Sequence, residues 1–194
     1  MSTQRQAIIV FARMSSSRLP GKVLMDFAGR SLLAHIIARA QLLELPIIVA
    51  TSTEPEDTAV AKVAEQCGAT AFRGSLENVL QRAVDCAHAH GLDAFARLCG
   101  DRPFFPLEQM GDGLRQMQSA LQAKDALDLV TNHVPENPPA GLSTEIVRVT
   151  ALERVLSVQL SERHREHLTS GIYDNAKAFV ISSIPQDFTS THGC

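Results

Sequence analysis

Four short apolar runs, at 7–12, 46–51, 94–99 and 128–131, constrain what this chain can fold into more than any other feature. They are rich in Ile, Val, Leu, Phe and Ala, the composition of strands buried on both faces. Between them the apolar residues change period. Leu32, Leu33, Ile36, Ile37, Ala40 and Leu43 recur at helical spacing, as do Val79, Leu80, Ala83, Val84 and Ala87. Ser31 and Ser75 precede these runs as N-cap candidates, and Gly91 follows the second as a C-cap. Thr150 and Glu153 have the spacing of a capping box at the head of a further helix over 151–160. Strands alternating with helices predict βαβ units: an α/β protein with a mostly parallel sheet between two helical layers. The 194 residues suffice for one cored domain, and no linker or internal repeat divides them.

The loop after the first predicted strand carries the strongest chemical signal. It reads A-R-M-S-S-S-R-L-P-G-K-V-L over 12–24, with Arg13, Arg18 and Lys22 among serines, a proline and a glycine that exclude regular structure. Backbone N–H groups, hydroxyls and cations together are what a polyphosphate needs. Open α/β sheets bind ligands beyond the carboxyl ends of their strands, which is where this loop falls. It is neither G-x-G-x-x-G nor a Walker A loop, since Gly21-Lys22 is followed by valine and lacks the upstream glycine. The charge distribution agrees with a small anionic ligand. Residues 1–40 hold Arg5, Arg13, Arg18, Lys22, Arg30 and Arg39 against the single acid Asp26, in a chain of net charge −3. That balance argues against binding to nucleic acid or to an anionic membrane. The four cysteines are scattered without metal spacing, and no leader or membrane-length apolar run is present, so a soluble cytoplasmic protein is expected.

The same loop resembles the opening motif of cytidylyltransferases of the spore-coat-polysaccharide type, relatives of the CMP-acylneuraminate and CMP-Kdo synthetases. Further segments are similar in order: I-I-V-A-T-S at 47–52 with Asp57 after it, F-R-G-S-L-E-N-V-L-Q-R at 72–82, R-L-C-G-D-R-P at 97–103, G-L-S-T-E-I at 141–146 and R-E-H-L-T at 165–169. The likeness covers roughly residues 7–172. It implies a three-layer α/β/α, Rossmann-like domain of the nucleotide-diphospho-sugar transferase type. It also implies transfer of CMP from CTP to a sugar acid with release of pyrophosphate, in cell-surface polysaccharide synthesis. A Mg²⁺ cofactor and a homodimer belong to the same expectation.

The resemblance assigns the residues as follows. Arg13, Lys22 and Asp101 are expected to be catalytic, with Ala12, Ser16, Arg18, Thr51, Arg73, Gly74, Ser75 and Arg82 joining Arg13 and Lys22 around the nucleotide. Arginine can grip two phosphate oxygens at once. Asp101, after the third strand, is the expected Mg²⁺ ligand, with Glu145 a weaker second acid. Glu166 and His167 are candidates at the sugar end. His164 and His167 share a helical face, but no third ligand supports zinc.

Three departures qualify the likeness. Asn78 and Ser143 stand where the family commonly has acids, and the ending at 185–194 is polar where relatives continue with a strand, an aspartate-bearing turn and a helix. Whether that final strand and helix are present is left open. Two further readings therefore stay open beside the enzyme: a catalytically impaired nucleotide-binding or regulatory module, and a nucleotidyltransferase with another base or acceptor.

Overall fold

A computed structural model describes residues 5–15, 19–134, 138–139, 141–158 and 160–184. Strand β1 (Gln6–Phe11) is followed by a two-stranded hairpin, β2 (Asp26–Phe27) and β3 (Arg30–Ser31), and then by helix α1 (Leu32–Ala40). Next come β4 (Ile47–Ser52), α2 (Thr58–Gln66), β5 (Thr70–Gly74), α3 (Val79–Ala89), β6 (Ala94–Cys99) and α4 (Leu107–Ala123). The last part runs β7 (Leu129–Thr131), β8 (Glu145–Arg148), α5 (Val149–Leu156), α6 (Glu162–Glu166), α7 (Ser170–Asp174) and β9 (Ile181–Ser183).

Among the described residues seven strands form one sheet, in the order β5-β4-β1-β6-β8-β7-β9. The first four are mutually parallel, in the register Ile9 beside Ile48 on one side of β1 and Arg97 on the other. β8 runs antiparallel between β6 and β7, and β9 lies parallel to β7 at the edge. The mostly parallel α/β architecture expected from the alternation is the one found. The four apolar runs read from the sequence are β1, β4, β6 and β7; β5, β8 and the edge strand β9 were not among them, and residues 185–194 lie outside the described residues.

Side-chain alternation along the strands divides the core into two layers. Ile8, Val10, Val49, Ala96 and Val130 pack on one face with α1, α2 and α4. Ala7, Ile9, Ile48, Phe95 and Val147 pack on the other with α3, α5 and α7. Because both faces are covered, the central strands read as continuous apolar runs. No helix among the described residues is long and apolar enough to cross a membrane.

Two capping expectations need correction. Ser31 does cap α1, accepting from the Ala34 N–H at 3.2 Å. Helix α3 is capped by Asn78 instead of Ser75, through a 2.9 Å bond from the Gln81 N–H; Ser75 accepts from the Asn78 N–H one turn earlier. Helix α5 begins at Val149 without any side-chain cap. β8 runs straight into it, and the Val149 N–H is satisfied by the Asp93 carbonyl at 2.9 Å. Glu153 is thereby free to pair with His88.

Candidate active site

The signature loop is pinned at both ends by its own backbone. As the chain leaves β1, the Met14 carbonyl accepts from the Gly21 N–H at 2.8 Å, closing the loop on itself. Gly21 has φ +73°, a left-handed conformation that a side chain would strain, and it turns the chain into the 3-10 turn Lys22–Leu24. The Met14 N–H donates to Asp57 at 2.6 Å, and the other oxygen of Asp57 accepts from the Ser52 N–H and hydroxyl. Asp57, 1% exposed, thus ties the loop to the exit of β4.

A second loop is pressed against the first. The Gly100 N–H donates to the Phe11 carbonyl at 2.9 Å. A Cβ on Gly100 would stand 2.7 Å from that of Ala12, closer than any side chain could tolerate. Glycine there lets the exit of β6, with Asp101, lie directly beside the exit of β1, with Arg13 and Lys22.

Between the two exits is a cavity of about 280 Å³. Among the described residues five cations face it: Arg13, Lys22, Arg82, Arg97 and Arg102. Asp101 and Glu166 are the facing carboxylates, and Ala12, Cys99 and His167 complete the parts that matter here. Lys22 is ion-paired with Asp101. Arg13 stands 3.9 Å from Glu166, a loose pair. Arg97 is bonded to Glu145 at 2.5 Å.

Arg82 differs from the others. It is 2% exposed, its Nε has no hydrogen-bond partner, and one terminal N–H donates to the Ser75 carbonyl at 2.6 Å. Burial, reinforced by the nearby charge of Arg13, pushes its pKa down to about 10. A buried guanidinium with so little compensation is a strong demand for an anion.

A family profile described as cytidylyltransferase matches residues 7–191, nearly the whole chain. The chain belongs to the cytidylyltransferase family. The spore coat polysaccharide biosynthesis protein SpsF of Bacillus subtilis is 31% identical over 180 residues, covering 89% of this chain and 72% of that protein. A 3-deoxy-manno-octulosonate cytidylyltransferase of Hahella chejuensis is 32% identical over 148 residues, covering 73% of this chain and half of its own length. The solved structure of a cytidylyltransferase from Leptospira borgpetersenii superposes with a TM-score of 0.85 at 26% identity, over 95% of this chain and 77% of that one. The sheet is therefore the Rossmann-like sheet of nucleotidyltransferases.

Within this family fold, the residues singled out from the sequence divide into three groups. Ala12, Arg13, Lys22, Arg82, Asp101, Glu166 and His167 converge on the cavity. Ser16 and Arg18 lie outside the described residues. The others do not line the cavity. Arg73 donates to the Ser52 and Glu54 carbonyls and to Thr58, bracing the exit of β4. Thr51 is fully buried at the end of β4. Gly74 does provide close approach, but toward Arg82, whose Cγ would lie 2.9 Å from a Cβ there. Ser75 contributes its carbonyl to Arg82 and lines a neighbouring cleft with Asn78, Gln81 and Arg165.

Glu145, expected as a second acid beside a metal, stands behind Arg97. One of its oxygens takes Arg97, and the other takes Thr169 at 2.7 Å and Tyr173 at 2.9 Å. Burial alone would raise its pKa; the charge of Arg97 and these hydrogen bonds outweigh that and lower it. His164 pairs with Asp174 at 2.9 Å, away from His167's place on the cavity wall. Arg97 and Arg102 were missed as cavity residues, although both flank Asp101 in one motif. A charge inside an otherwise apolar strand was the available signal for Arg97.

Proposed function

We propose that this cytidylyltransferase transfers CMP from CTP to a sugar acid, with Mg²⁺ and with release of pyrophosphate, in the synthesis of a polysaccharide. The observation that carries this reading is the convergence of Arg13, Lys22, Arg82 and Asp101 on one cavity at the carboxyl ends of β1 and β6.

In such a transfer the sugar hydroxyl forms a bond to the α-phosphorus and gives up its proton to solvent as the bond to the pyrophosphate oxygen breaks. Positioning and charge neutralisation dominate chemistry of this kind. Arg13 and Lys22, on a loop fixed by Asp57 and Gly21, are placed to bind phosphate oxygens. Arg82 supplies a third positive charge from the α3 side in a poorly hydrated setting, where it acts more strongly than in water. Lys22 exchanges its carboxylate partner for phosphate when nucleotide enters.

The donor set suits Mg²⁺. No group of three or more His, Cys, Asp or Glu side chains able to hold a metal occurs among the described residues. Mg²⁺ is usually held by one or two carboxylates together with substrate phosphates and water, and Asp101 offers one such carboxylate. Asp101 would hold the cation, whose charge would offset that of the triphosphate.

The test is pyrophosphate release from CTP in Mg²⁺ with a panel of sugar acids, including 3-deoxy-manno-octulosonate and N-acetylneuraminate. Release is expected with at least one acceptor, with a loss of roughly a hundredfold or more in Asp101→Ala. Tight CTP binding without release from any acceptor would favour a binding module instead.

A further inference from the structure

The cations of the cavity are not equally committed. Lys22 has Asp101, Arg97 has Glu145, and Arg13 has the loosely placed Glu166. For Arg82 and Arg102, no carboxylate lies within ion-pair distance among the described residues. Arg82 leans on a backbone carbonyl, and Arg102 donates to the hydroxyl of Ser143. These two uncommitted guanidiniums stand on opposite sides of β1. Arg82 comes from α3, which follows β5, and is bonded to the exit of β5. Arg102 sits on the exit of β6 and is bonded to the lead-in of β8. The sheet order β5-β4-β1-β6-β8 separates them.

We propose that Arg102, oriented by the Ser143 hydroxyl, binds the carboxylate of the acceptor and thereby selects for acidic sugars. The inference rests on the transfer reading above and assigns one residue within it. Two anions must meet in this cavity, and displacement at phosphorus places the incoming hydroxyl and the departing pyrophosphate on opposite sides of the phosphorus. They therefore need separate cationic stations. Arg82 lies on the α3 side, close enough to Arg13 for the two charges to repel, and belongs with the phosphates. Arg102 is the station on the far side.

Ser143 makes this station work. A hydroxyl accepts one N–H of the guanidinium and fixes its direction without neutralising it. The rest of the planar fork is left for a carboxylate, which it can grip through two parallel bonds. An acid at 143 would pair with Arg102 and occupy it internally. Serine at 143 thus leaves the charge of Arg102 exposed.

The experiment compares wild type with Arg102→Gln, Arg102→Lys, Ser143→Ala and Ser143→Asp. KM for CTP and for whichever sugar acid the wild type uses are measured separately. Calorimetry of that sugar acid, with a non-cleavable CTP analogue bound, reads binding without turnover. Arg102→Gln and Ser143→Asp are expected to raise the acceptor KM tenfold to a hundredfold and to weaken acceptor binding in parallel. The KM for CTP should stay within about twofold. Arg102→Lys keeps the charge but loses the fork and falls between, and Ser143→Ala shifts the acceptor KM only a few-fold.

A rise in the CTP KM with an unchanged acceptor KM would overturn the assignment and move Arg102 to the phosphates. Unchanged values for both would overturn it outright. A wild type that transfers CMP only to acceptors lacking a carboxylate sinks this inference and leaves nucleotidyl transfer standing. Failure of every acceptor in the wild type removes the transfer reading itself, and this inference with it.

Discussion

Glu145 and Arg97 are cross-strand neighbours in the antiparallel register of β6 and β8, and Thr131 of β7 is the next in that row. A buried ion pair is worth keeping only when its remaining hydrogen-bonding capacity is met, because desolvation otherwise cancels the attraction. Here Thr169 and Tyr173 meet it from the helical layer, and the Tyr173 hydroxyl also reaches Thr131 at 3.0 Å. Burial by itself would lower the pKa of Arg97, yet the charge of Glu145 carries the balance upward, so the guanidinium stays charged at any working pH. The carboxyl of Glu145 is held below its ordinary value of 4.5. Its contribution to stability is therefore present above about pH 4.5 and is lost as pH falls through the lower folded value. Glu145→Gln should cost roughly 3–5 kcal/mol at pH 7 by urea denaturation. The gap from wild type should narrow steadily below pH 4.5; a constant gap down to pH 3 would contradict the charged pair. At this scale the sequence made Lys22 and Asp101 legible, since charges in Gly- and Pro-containing loops have few structural duties. It hid the partnership of Arg97 with Glu145, because register between residues 48 positions apart leaves no periodic trace.

Helix α3 shows how a local rule can select the right element and the wrong residue. Ser75 and Asn78 both have cap chemistry and both accept backbone N–H bonds, so spacing alone could not rank them. Asn78 wins because its extended backbone, φ −117° and ψ 90°, immediately precedes the helical residues. Asn78→Ala should lower stability by about 1 kcal/mol, whereas Asn78→Asp should hold it or raise it by about 0.3–1 kcal/mol through the positive end of the helix. Thermal denaturation of the two variants checks this; equal losses would mean that the amide N–H, and not its oxygen, matters. Helix α4 escaped detection for another reason. Met110, Leu114, Met117 and Leu121 do form a buried stripe, but Gly111, Asp112 and Gly113 interrupt it with poor helix formers. Strand β9 has three residues, Ile-Ser-Ser, and takes its identity from pairing with β7 and not from any apolar run. A segment that short carries too little pattern to be read alone.

The whole molecule brings residues from distant parts of the chain to one opening. Arg13 and Lys22 come from the first crossover, Arg82 from the third helix, Asp101 and Arg102 from the fourth parallel strand, and Glu166 and His167 from the α6 region. That convergence follows from sheet order, with β1 central and the exits of β1 and β6 adjacent, and sheet order is what alternation cannot specify. A ligand spanning these elements must couple to global stability, since it binds only the arrangement in which they meet. CTP with Mg²⁺ at a hundredfold over its dissociation constant should stabilise the fold by about 2.7 kcal/mol, a rise of roughly 5–10 °C in Tm for a chain of this size. Arg82→Met retains most of the stem against Gly74 and deletes the charge. Without nucleotide its Tm should hold or rise, because a buried, poorly compensated guanidinium is costly. At the same CTP concentration most of the ligand-induced rise should vanish. The two halves of that result belong together: a variant steadier without ligand and less responsive to it would mark Arg82 as a charge kept for the nucleotide at the expense of the fold. A full CTP response in Arg82→Met would assign the triphosphate to Arg13 and Lys22 and leave Arg82 a structural residue.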